Sequence, residues 1–336
     1  MSTPAGEPAG GAALGNASSS GRTVPGPFAD ITAAIGNTPM VELRRLSPKS
    51  EVRIFAKLEG VNPTGSLKDR IARSMIAAAR ASGALHPGQT ILEPSSGNTG
   101  ISLAMIGARM GHPVRIVMPD NTTSERSQVL AVYGADVVYS PGAEGSNGAI
   151  RVAQELAAAD PSLFMPYQYG NEANPRAHEE TTAPEILAAV PDLDAFVAGL
   201  GTGGTLTGVG HYLKRHRAGV RIVAAEPLPG EEVQGLRSLE DGFVPPVLDP
   251  SVLDDRILVT NRDAVIALRR LTREEGIFGG LSSGAVVAVA VRVAREMGGG
   301  SLVVLLADAG WKYLSADLWS RDLDELEDEL ERSLLW

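Results

Sequence analysis

Short runs of apolar residues alternate along the chain with longer segments whose apolar positions recur at helical spacing. The predicted strands are Val52–Lys57, Thr90–Glu93, Val114–Met118, Asp136–Tyr139, Ala195–Gly199, Arg221–Ala225 and Leu302–Ala307. The predicted helices are Ser66–Ala79, Asn98–Met110, Ser124–Tyr133, Asn147–Ala159, Gly204–Arg215, Arg262–Glu275 and Ser283–Met297. Most of the strands are apolar at nearly every position, which is typical of strands covered on both faces. The pattern predicts an α/β fold with two doubly wound parallel-sheet domains.

The two ends of the chain depart from this alternation. Residues 1–22 are Gly, Ala, Ser or Pro at 16 of 22 positions. Such a segment buries too little apolar surface to offset the entropy of ordering it, so we predict a disordered tail. Residues 321–336 are predicted to form an acidic helix followed by an apolar Leu-Leu-Trp tail. This segment is either a solvated helix with one packed stripe or a tail that docks on the protein.

Composition and charge exclude several classes of protein. The 336 residues are enough for two domains with large buried cores. The chain has no cysteine, which excludes disulfides, thiolate metal sites and cysteine nucleophiles. Its formal net charge of -10 disfavours a nucleic-acid binder, which needs a basic surface. The longest apolar run, Ala285–Val291, is too short to span a membrane, and no secretory signal opens the chain, so we expect a cytoplasmic protein.

Four loops rich in Gly, Ser or Thr lie next to predicted helix starts, and open parallel sheets bind ligands in the loops that follow their strands. The most informative loop is Gly199–Thr205. Its glycines let the backbone approach an anion, and amides at the start of the next helix point towards that anion. The spacing matches neither the Gly-x-x-x-x-Gly-Lys-Ser/Thr loop nor the Gly-x-Gly-x-x-Gly dinucleotide motif. The loop is therefore either a monophosphate site or a tight turn without a ligand.

The other three loops offer chemistry for the rest of a ligand. In Glu93–Gly100, hydroxyls and helix amides suit a carboxylate, although serine there is also an ordinary helix cap. Lys68 lies near a helix start, where the helix dipole disfavours its charge. It either extends into solvent or has the lowered pKa that Schiff-base chemistry requires. Gly279–Ala285 adds a neutral hydroxyl, and the four loops together describe a pyridoxal-phosphate site that holds an amino acid.

These motifs resemble those of the cysteine synthase family, which are fold-type II pyridoxal-phosphate enzymes with a tryptophan synthase β-like fold. The resemblance extends over residues 25–320. It is carried by Ile35–Pro39, the Lys68 segment, Ser95–Thr99, Met118–Asp120, Tyr133–Ala135, Gln168–Asn171, His178–Thr182, Gly201–Thr205 and Gly280–Ala285. The stretch Ala307–Ser315 is most similar to the actinobacterial cysteine synthase B branch, which includes phosphoserine-dependent sulfhydrylases.

The resemblance implies a role for each matching residue. Lys68 is the expected Schiff-base lysine and catalytic base, Asn98 the partner of the phenolic oxygen of pyridoxal 5'-phosphate, and Ser282 the hydroxyl at its pyridine nitrogen. The cofactor phosphate is assigned to Gly201, Thr202, Gly203, Gly204 and Thr205. The substrate carboxylate is assigned to Ser95, Ser96, Gly97, Thr99 and Gln168. No metal site is expected.

The resemblance also implies a domain organisation and partners. Residues 48–165 are expected to form a mobile N-terminal α/β domain that closes over the substrate. Residues 23–47 and 166–320 are expected to form the C-terminal domain that binds the cofactor phosphate. The expected partners are a small-molecule substrate, a sulfur donor and a second copy of the chain in a homodimer, with no nucleic acid or membrane. The donor is left open among sulfide, thiosulfate and a thiocarboxylated sulfur-carrier protein.

The expected activity is that of a transferase of cysteine biosynthesis. It is β-replacement on an activated L-serine, in which a sulfur nucleophile attacks an aminoacrylate intermediate to give L-cysteine. The alternatives are the same chemistry with another nucleophile, as in a diaminopropionate or cystathionine synthase, and a catalytically silent paralogue that binds a partner. Leu228 stands where phosphoserine-using relatives carry an arginine, so O-acetylserine and O-phosphoserine both stay open, with Arg237 as a compensating candidate.

Overall fold

The computed structural model describes residues 27–95, 97–231 and 233–325. The predicted tail at residues 1–22, most of the predicted C-terminal helix (residues 326–336) and Ser96 lie outside the described residues. The strands are β1 (Met40–Glu42), β2 (Val52–Leu58), β3 (Ile91–Pro94), β4 (Val114–Pro119), β5 (Asp136–Ser140), β6 (Leu193–Gly199), β7 (Arg221–Pro227), β8 (Asp255–Val259) and β9 (Gly300–Leu306).

Nine α-helices connect these strands within the described part of the chain. They are α1 (Lys68–Ser82), α2 (Asn98–Met110), α3 (Ser124–Val132), α4 (Gly145–Ala159), α5 (Ala173–Ala177), α6 (Ala183–Ala189), α7 (Gly204–His216), α8 (Asn261–Glu275) and α9 (Leu281–Glu296). A π-helical turn, His178–Thr182, joins α5 to α6, and a 3-10 helix, Gly310–Ala316, follows β9.

The strands form a six-stranded sheet in the order β1-β2-β9-β6-β7-β8 and a three-stranded sheet in the order β3-β4-β5. Neighbouring strands run parallel, except that β1 pairs antiparallel with β2. Side chains of β6 alternate between the two faces of the larger sheet, as the period of a strand requires. Ala195 and Val197 pack in the core with α8 and α9, whereas Phe196 and Ala198 pack in the core with α6 and α7. The predicted α/β fold is confirmed.

Helix α1 contacts both sheet units through different faces. Ala72 and Ile76 are buried in the core of the smaller unit, together with residues of α2 and α3. Met75 packs instead against Ala173 and Ala177 of α5. The helix that begins at Lys68 is therefore fixed by both units.

The sequence pattern did not predict two of the strands and one helical segment. Strand β1 has only three residues, and β8 lies at the sheet edge, where its burial alternates and two of its five residues are charged. The helical segment from α5 through α6 contains Pro175 and Pro184, which argue against a helix in a sequence. Strand β2 pairs with β9 in the larger sheet, although the expected N-terminal domain begins at residue 48. The larger sheet therefore includes residues that the expected boundary assigns to the other domain.

Within the described ranges, no helix combines the length and the apolar character needed to cross a membrane.

Candidate active site

Two adjoining cavities lie where strands of both sheets end at their carboxyl sides. We call them cavity A and cavity B. Both are lined by Lys68, Asn98, Gly201, Thr202, Gly235, Leu236 and Tyr313. Cavity A adds Ser95, Thr99, Arg126, Ser146, Gln168, Tyr169 and Arg237. Cavity B adds Leu67, Ala198, Gly199, Gly203, Thr205, Ser282, Val286, Leu305 and Ala307.

Lys68 is the first residue of α1 and lines both cavities. The preceding residue, Leu67, donates its backbone N–H to the carbonyl of Ala307 at 2.9 Å, which ties the helix start to the end of β9. Burial lowers the pKa of Lys68 to about 8, although the nearby carboxylate of Asp308 acts in the opposite direction. With a pKa of about 8, roughly one Lys68 in ten is uncharged at pH 7. The side chain therefore has the accessible, low-pKa amine that Schiff-base chemistry needs.

The loop Gly201–Thr205 joins β6 to α7 beside cavity B. Gly203 has φ +85°, and a Cβ atom there would lie 2.7 Å from Cβ of Leu248, so this turn requires glycine. Nδ2 of Asn174 donates to the Thr202 hydroxyl at 3.1 Å, which leaves the hydroxyl hydrogen for a ligand. Backbone amides at the start of α7 add further donors. The loop thus presents amides and hydroxyls to the cavity, as a monophosphate requires.

The predicted carboxylate loop is held by a buried glutamate at the end of β3. The Glu93 side chain accepts hydrogen bonds from the backbone N–H groups of Tyr167 (2.8 Å) and Gln168 (2.9 Å), and burial raises its pKa to about 8. The Ser95 hydroxyl accepts hydrogen bonds from the N–H groups of Gly97 and Gly100, both at 3.1 Å. Ser95 therefore binds an N–H group in the first turn of α2, and it also lines cavity A.

Thr99 and Gln168 bond to each other across the two units. The Thr99 hydroxyl donates to Oε1 of Gln168 at 2.7 Å, and Nε2 of Gln168 donates to the carbonyl of Pro94 at 3.1 Å. Both side chains line cavity A, so they offer polar atoms at the same wall. Gly97, also predicted here, has φ +146°, and a Cβ atom there would lie 2.5 Å from Cδ of Arg126. The absence of a side chain at Gly97 therefore leaves room for Arg126, and Gly97 is not among the described residues that line the cavity.

Ser282 lies in the first turn of α9, is 5% exposed and lines cavity B. Among the described residues that line cavity B, none is Asp or Glu. Ser282 therefore presents a neutral hydroxyl to this cavity. Apolar side chains of Val286 and Leu305 line the same cavity and suit a flat ring.

Asn98 is the first residue of α2 and lines both cavities. Its Oδ1 accepts a hydrogen bond from Nζ of Lys312 at 2.6 Å, and its Nδ2 donates to Oδ2 of Asp308 at 2.8 Å. The same carboxylate oxygen accepts a hydrogen bond from the Tyr313 hydroxyl at 2.7 Å. The amide of Asn98 is thus held at both ends.

Two arginines line cavity A: Arg237, which the sequence offered as a compensating candidate, and Arg126, which it did not. The Arg126 guanidinium lies 5.0 Å from the ring centroid of Tyr313, which also lines the cavity. The Arg237 guanidinium lies 5.5 Å from the ring centroid of Tyr169 and donates to Oδ1 of Asn147 at 3.0 Å. In the described part of the wall, cavity A has three cationic side chains and no carboxylate. Arg126 lacked a sequence signal, because a helical arginine usually faces solvent.

The sequence placed one other residue near this cavity. Leu228 follows β7. It is not among the described residues that line cavity A or cavity B. Glu231, three residues later, accepts a hydrogen bond from the backbone N–H of Asn261 at 2.5 Å, at the start of α8. A carboxylate used in this way caps a helix. Glu231 is not among the described residues that line cavity A.

Known proteins match the chain over most of its length. The family described as pyridoxal-phosphate dependent enzyme matches residues 31–308. A probable cysteine synthase of Bacillus subtilis (strain 168) is 44% identical over 304 residues, covering 87% of this chain and 98% of the relative. A cysteine synthase of Staphylococcus aureus (strain Mu50 / ATCC 700699) is 44% identical over 306 residues, covering 88% of this chain and 98% of the relative.

Solved structures of this family have the same fold. A crystal structure of O-ureido-L-serine synthase matches with a TM-score of 0.83 at 43% identity, covering 88% of this chain and 97% of that one. The cysteine synthase of Entamoeba histolytica matches with a TM-score of 0.82 at 32% identity, covering 93% of this chain and 99% of that one. The chain therefore belongs to the pyridoxal-phosphate dependent enzymes, within the cysteine synthase family, and its cofactor is pyridoxal 5'-phosphate.

Proposed function

We propose that this enzyme forms L-cysteine by replacing the β-substituent of an activated L-serine with a sulfur nucleophile. The observation that carries the proposal is the position of Lys68, whose amine has a pKa of about 8 and lies between two groups of anion-binding donors. The relatives named cysteine synthase, at 44% identity, support the choice of sulfur as the nucleophile.

The donors around cavity B fit pyridoxal 5'-phosphate. We assign the phosphate to Gly201–Thr205, the phenolic oxygen to Asn98, the pyridine nitrogen to Ser282 and the covalent link of the resting enzyme to Lys68. The chemistry of this donor set supports the assignment, because the cavity offers amides and hydroxyls for a phosphate and a neutral partner for a ring nitrogen. When bound, the cofactor supplies an electron sink for charge that develops at the substrate Cα.

The walls of cavity A fit an amino acid. We assign the substrate carboxylate to Ser95, Thr99 and Gln168, which line cavity A, and, from the sequence motif, to Ser96 and Gly97 of the same loop. Bound there, the substrate presents its Cα hydrogen to Nζ of Lys68, which lines the same cavity. Lys68 accepts this proton in its neutral form, which its lowered pKa makes accessible. A residue with an ordinary lysine pKa would be almost fully protonated at pH 7.

The charge of cavity A favours an anionic leaving group. Arg126 and Arg237 line the cavity, whereas Leu228 stands at the position where an arginine was expected. Charge-assisted hydrogen bonds from guanidinium groups suit a phosphate dianion, and an acetyl ester has no such need. We therefore infer O-phosphoserine as the preferred substrate, with Arg126 and Arg237 as its phosphate ligands.

The test is cysteine formation by the holoenzyme from O-phosphoserine and from O-acetylserine, each with sulfide and at equal ionic strength. We expect kcat/KM to be at least about tenfold higher for O-phosphoserine, as one charge-assisted contact provides. Lys68→Ala is the control and should lose turnover with both esters. A preference for O-acetylserine contradicts the leaving-group assignment alone. Failure to form cysteine from either ester, with cofactor bound, contradicts the proposed function and points to a different nucleophile.

The resemblance also leads us to propose a homodimer, a cytoplasmic location, a sulfur-carrier partner and closure of the smaller unit over the substrate. Light scattering after size-exclusion chromatography tests the first of these. A mass of twice 35.1 kDa supports the homodimer, and a mass of 35.1 kDa contradicts it.

A further inference from the structure

The side chain of Lys312 is completely buried, which is rare for a lysine and costly unless its charge is compensated. It lies in the 3-10 helix Gly310–Ala316 beyond the larger sheet. Its Nζ donates to Oδ1 of Asn98 at 2.6 Å and to the carbonyl of Gly65 at 3.3 Å, and lies 5.0 Å from the ring centroid of Trp311. Lys312 therefore directs its ammonium group at one residue of the active site.

This contact fixes which way the Asn98 amide points. A lysine ammonium group only donates hydrogen bonds, so the atom that it contacts is the amide oxygen. The opposite contact, to Oδ2 of Asp308 at 2.8 Å, needs a donor and so requires Nδ2. Nδ2 carries two hydrogens, and Asp308 takes one of them. The second is available as a donor to the cavities that Asn98 lines.

The ammonium group also strengthens that donor. A positive charge at Oδ1 withdraws electron density from the amide, so that its N–H groups donate more strongly. The effect is largest in a site that excludes water, and Lys312 is 0% exposed. The charged groups that face Lys312 are Asp308, Asp69, Arg126 and Lys68. The two carboxylates compensate the charge of Lys312.

We propose that Lys312 is a positioning residue that orients and polarises the Asn98 amide, and thereby stabilises the ionised phenolic oxygen of the cofactor. The proposal rests on the proposed function, which places Asn98 at that oxygen. It assigns a role to a residue of the Ala307–Ser315 segment that does not itself line cavity A or B.

The test compares the absorbance spectra of purified holoenzymes without substrate, at one pH. The readout is the ratio of the visible band, from the ionised phenol, to the near-ultraviolet band, from the neutral phenol. Lys312→Arg keeps a charge and a donor, Lys312→Gln keeps a donor, and Lys312→Met keeps neither. We expect the ratio to fall in that order, by about threefold to tenfold for Lys312→Met, as the weakening of one hydrogen bond predicts.

Lys57 provides a matched control, because it is another buried lysine (2% exposed) that bonds Glu185 at 2.6 Å and lines neither cavity. Lys57→Met should lower thermal stability and leave the band ratio unchanged. A wild-type ratio in Lys312→Met, or an equal fall in Lys57→Met, overturns the proposal.

Asn98→Ala separates this inference from the proposed function. If Asn98→Ala changes the ratio and Lys312→Met does not, only the role of Lys312 is wrong. If neither changes the ratio, Asn98 does not face the phenolic oxygen, and both assignments fall. Should Lys312→Met not fold, Lys312→Gln decides: a ratio between those of the wild type and Asn98→Ala supports the proposal, and a wild-type ratio overturns it.

Discussion

The hydroxyl of Thr99 donates a hydrogen bond of 2.7 Å to Oε1 of Gln168, although 69 residues separate them along the chain. Thr99 lies in the first turn of α2, and Gln168 lies in the segment that Glu93 holds through its backbone. At the wall of cavity A, the two polar side chains are therefore hydrogen bonded to each other. A substrate carboxylate can replace Oε1 as the acceptor for the Thr99 hydroxyl, which also frees Gln168 to turn its amide towards the ligand.

Loss of this pair should weaken substrate binding with little effect on the chemical step. Thr99→Val removes the hydroxyl at similar volume, and we expect KM for the serine ester to rise about threefold to tenfold, as one hydrogen bond predicts. Gln168→Glu places a second carboxylate beside that of the substrate and should raise KM further. Steady-state kinetics with each variant measure both effects. Gln89→Ala, at a residue that lines neither cavity, is the control. A KM unchanged in both variants would place the carboxylate elsewhere.

Ser282 should tune the cofactor rather than hold it. Ser282→Ala removes one neutral hydrogen bond, so we expect turnover to fall by about twofold to tenfold while the cofactor stays bound. Ser282→Asp adds a carboxylate that favours a protonated ring nitrogen and should shift the cofactor absorbance. The adjacent Ser283 is a matched control, because its buried hydroxyl has no hydrogen-bond partner among the described residues. If Ser282→Ala and Ser283→Ala behave alike, Ser282 does not contact the ring.

Removal of either cavity A arginine should affect one ester more than the other. Arg126→Met or Arg237→Met deletes a guanidinium donor, and we expect kcat/KM for O-phosphoserine to fall by about tenfold or more. The value for O-acetylserine should change by less than about threefold, because its leaving group carries no dianionic charge. Arg215→Met, at a surface arginine paired with Glu179, controls for the overall loss of charge. Equal losses on both esters would mean that the arginines shape the cavity without binding phosphate.

Glu93 should make folding stability depend on pH. Burial raises the pKa of Glu93 to about 8, so between pH 4.5 and 8 the folded protein binds more protons than the unfolded chain. The contribution of Glu93 to the free energy of unfolding is therefore complete below its unfolded pKa of 4.5. This contribution is lost as pH rises through the folded pKa of about 8. Glu93→Gln stays neutral and loses one acceptor for the backbone of the 167–168 segment.

The measurement is the thermal midpoint from pH 6 to 9. We expect the thermal midpoint to fall more for the wild type than for Glu93→Gln between pH 6 and pH 9. The difference in midpoint that favours the wild type at pH 6 should therefore be smaller at pH 9. Parallel pH profiles for the two proteins would show that Glu93 keeps the same protonation in both states.

Residues with local signatures were predictable from the sequence, and residues whose role depends on tertiary packing were not. The glycines of Gly201–Thr205 and the hydroxyls around Thr99 lie next to helix starts, where the chemistry of a backbone turn is visible in a few letters. Strand β2 was predicted to within one residue, because Val52 and the run Ile54–Ala56 give it a short apolar pattern. Strand β9, which pairs with β2, was also predicted, but no local sequence pattern indicates which sheet a strand belongs to.

Arg126 and Lys312 illustrate what local patterns omit. A basic residue in a helix predicts a solvated surface, and both of these are buried. Their burial depends on contacts between α2 or α3 and the segment after β9: Arg126 contacts Tyr313, and Lys312 bonds Asn98, which lies 214 positions away along the chain. Buried charged residues such as these therefore indicate an active site, but their burial is visible only in the three-dimensional structure.

The position of β9 has a consequence for how the protein is made. This strand lies in the centre of the larger sheet, between β2 and β6, but among the nine strands of the described residues it is the last to be synthesised. Until residue 306 has been synthesised, β2 and β6 each present an unpaired edge, and such edges are prone to pair with other chains. The carbonyl of Ala307, which accepts the backbone N–H of Leu67 next to Lys68, follows directly after this strand. A growing chain therefore gains the hydrogen bond that ties the start of α1, and with it Lys68, to the larger sheet only after β9 has been synthesised.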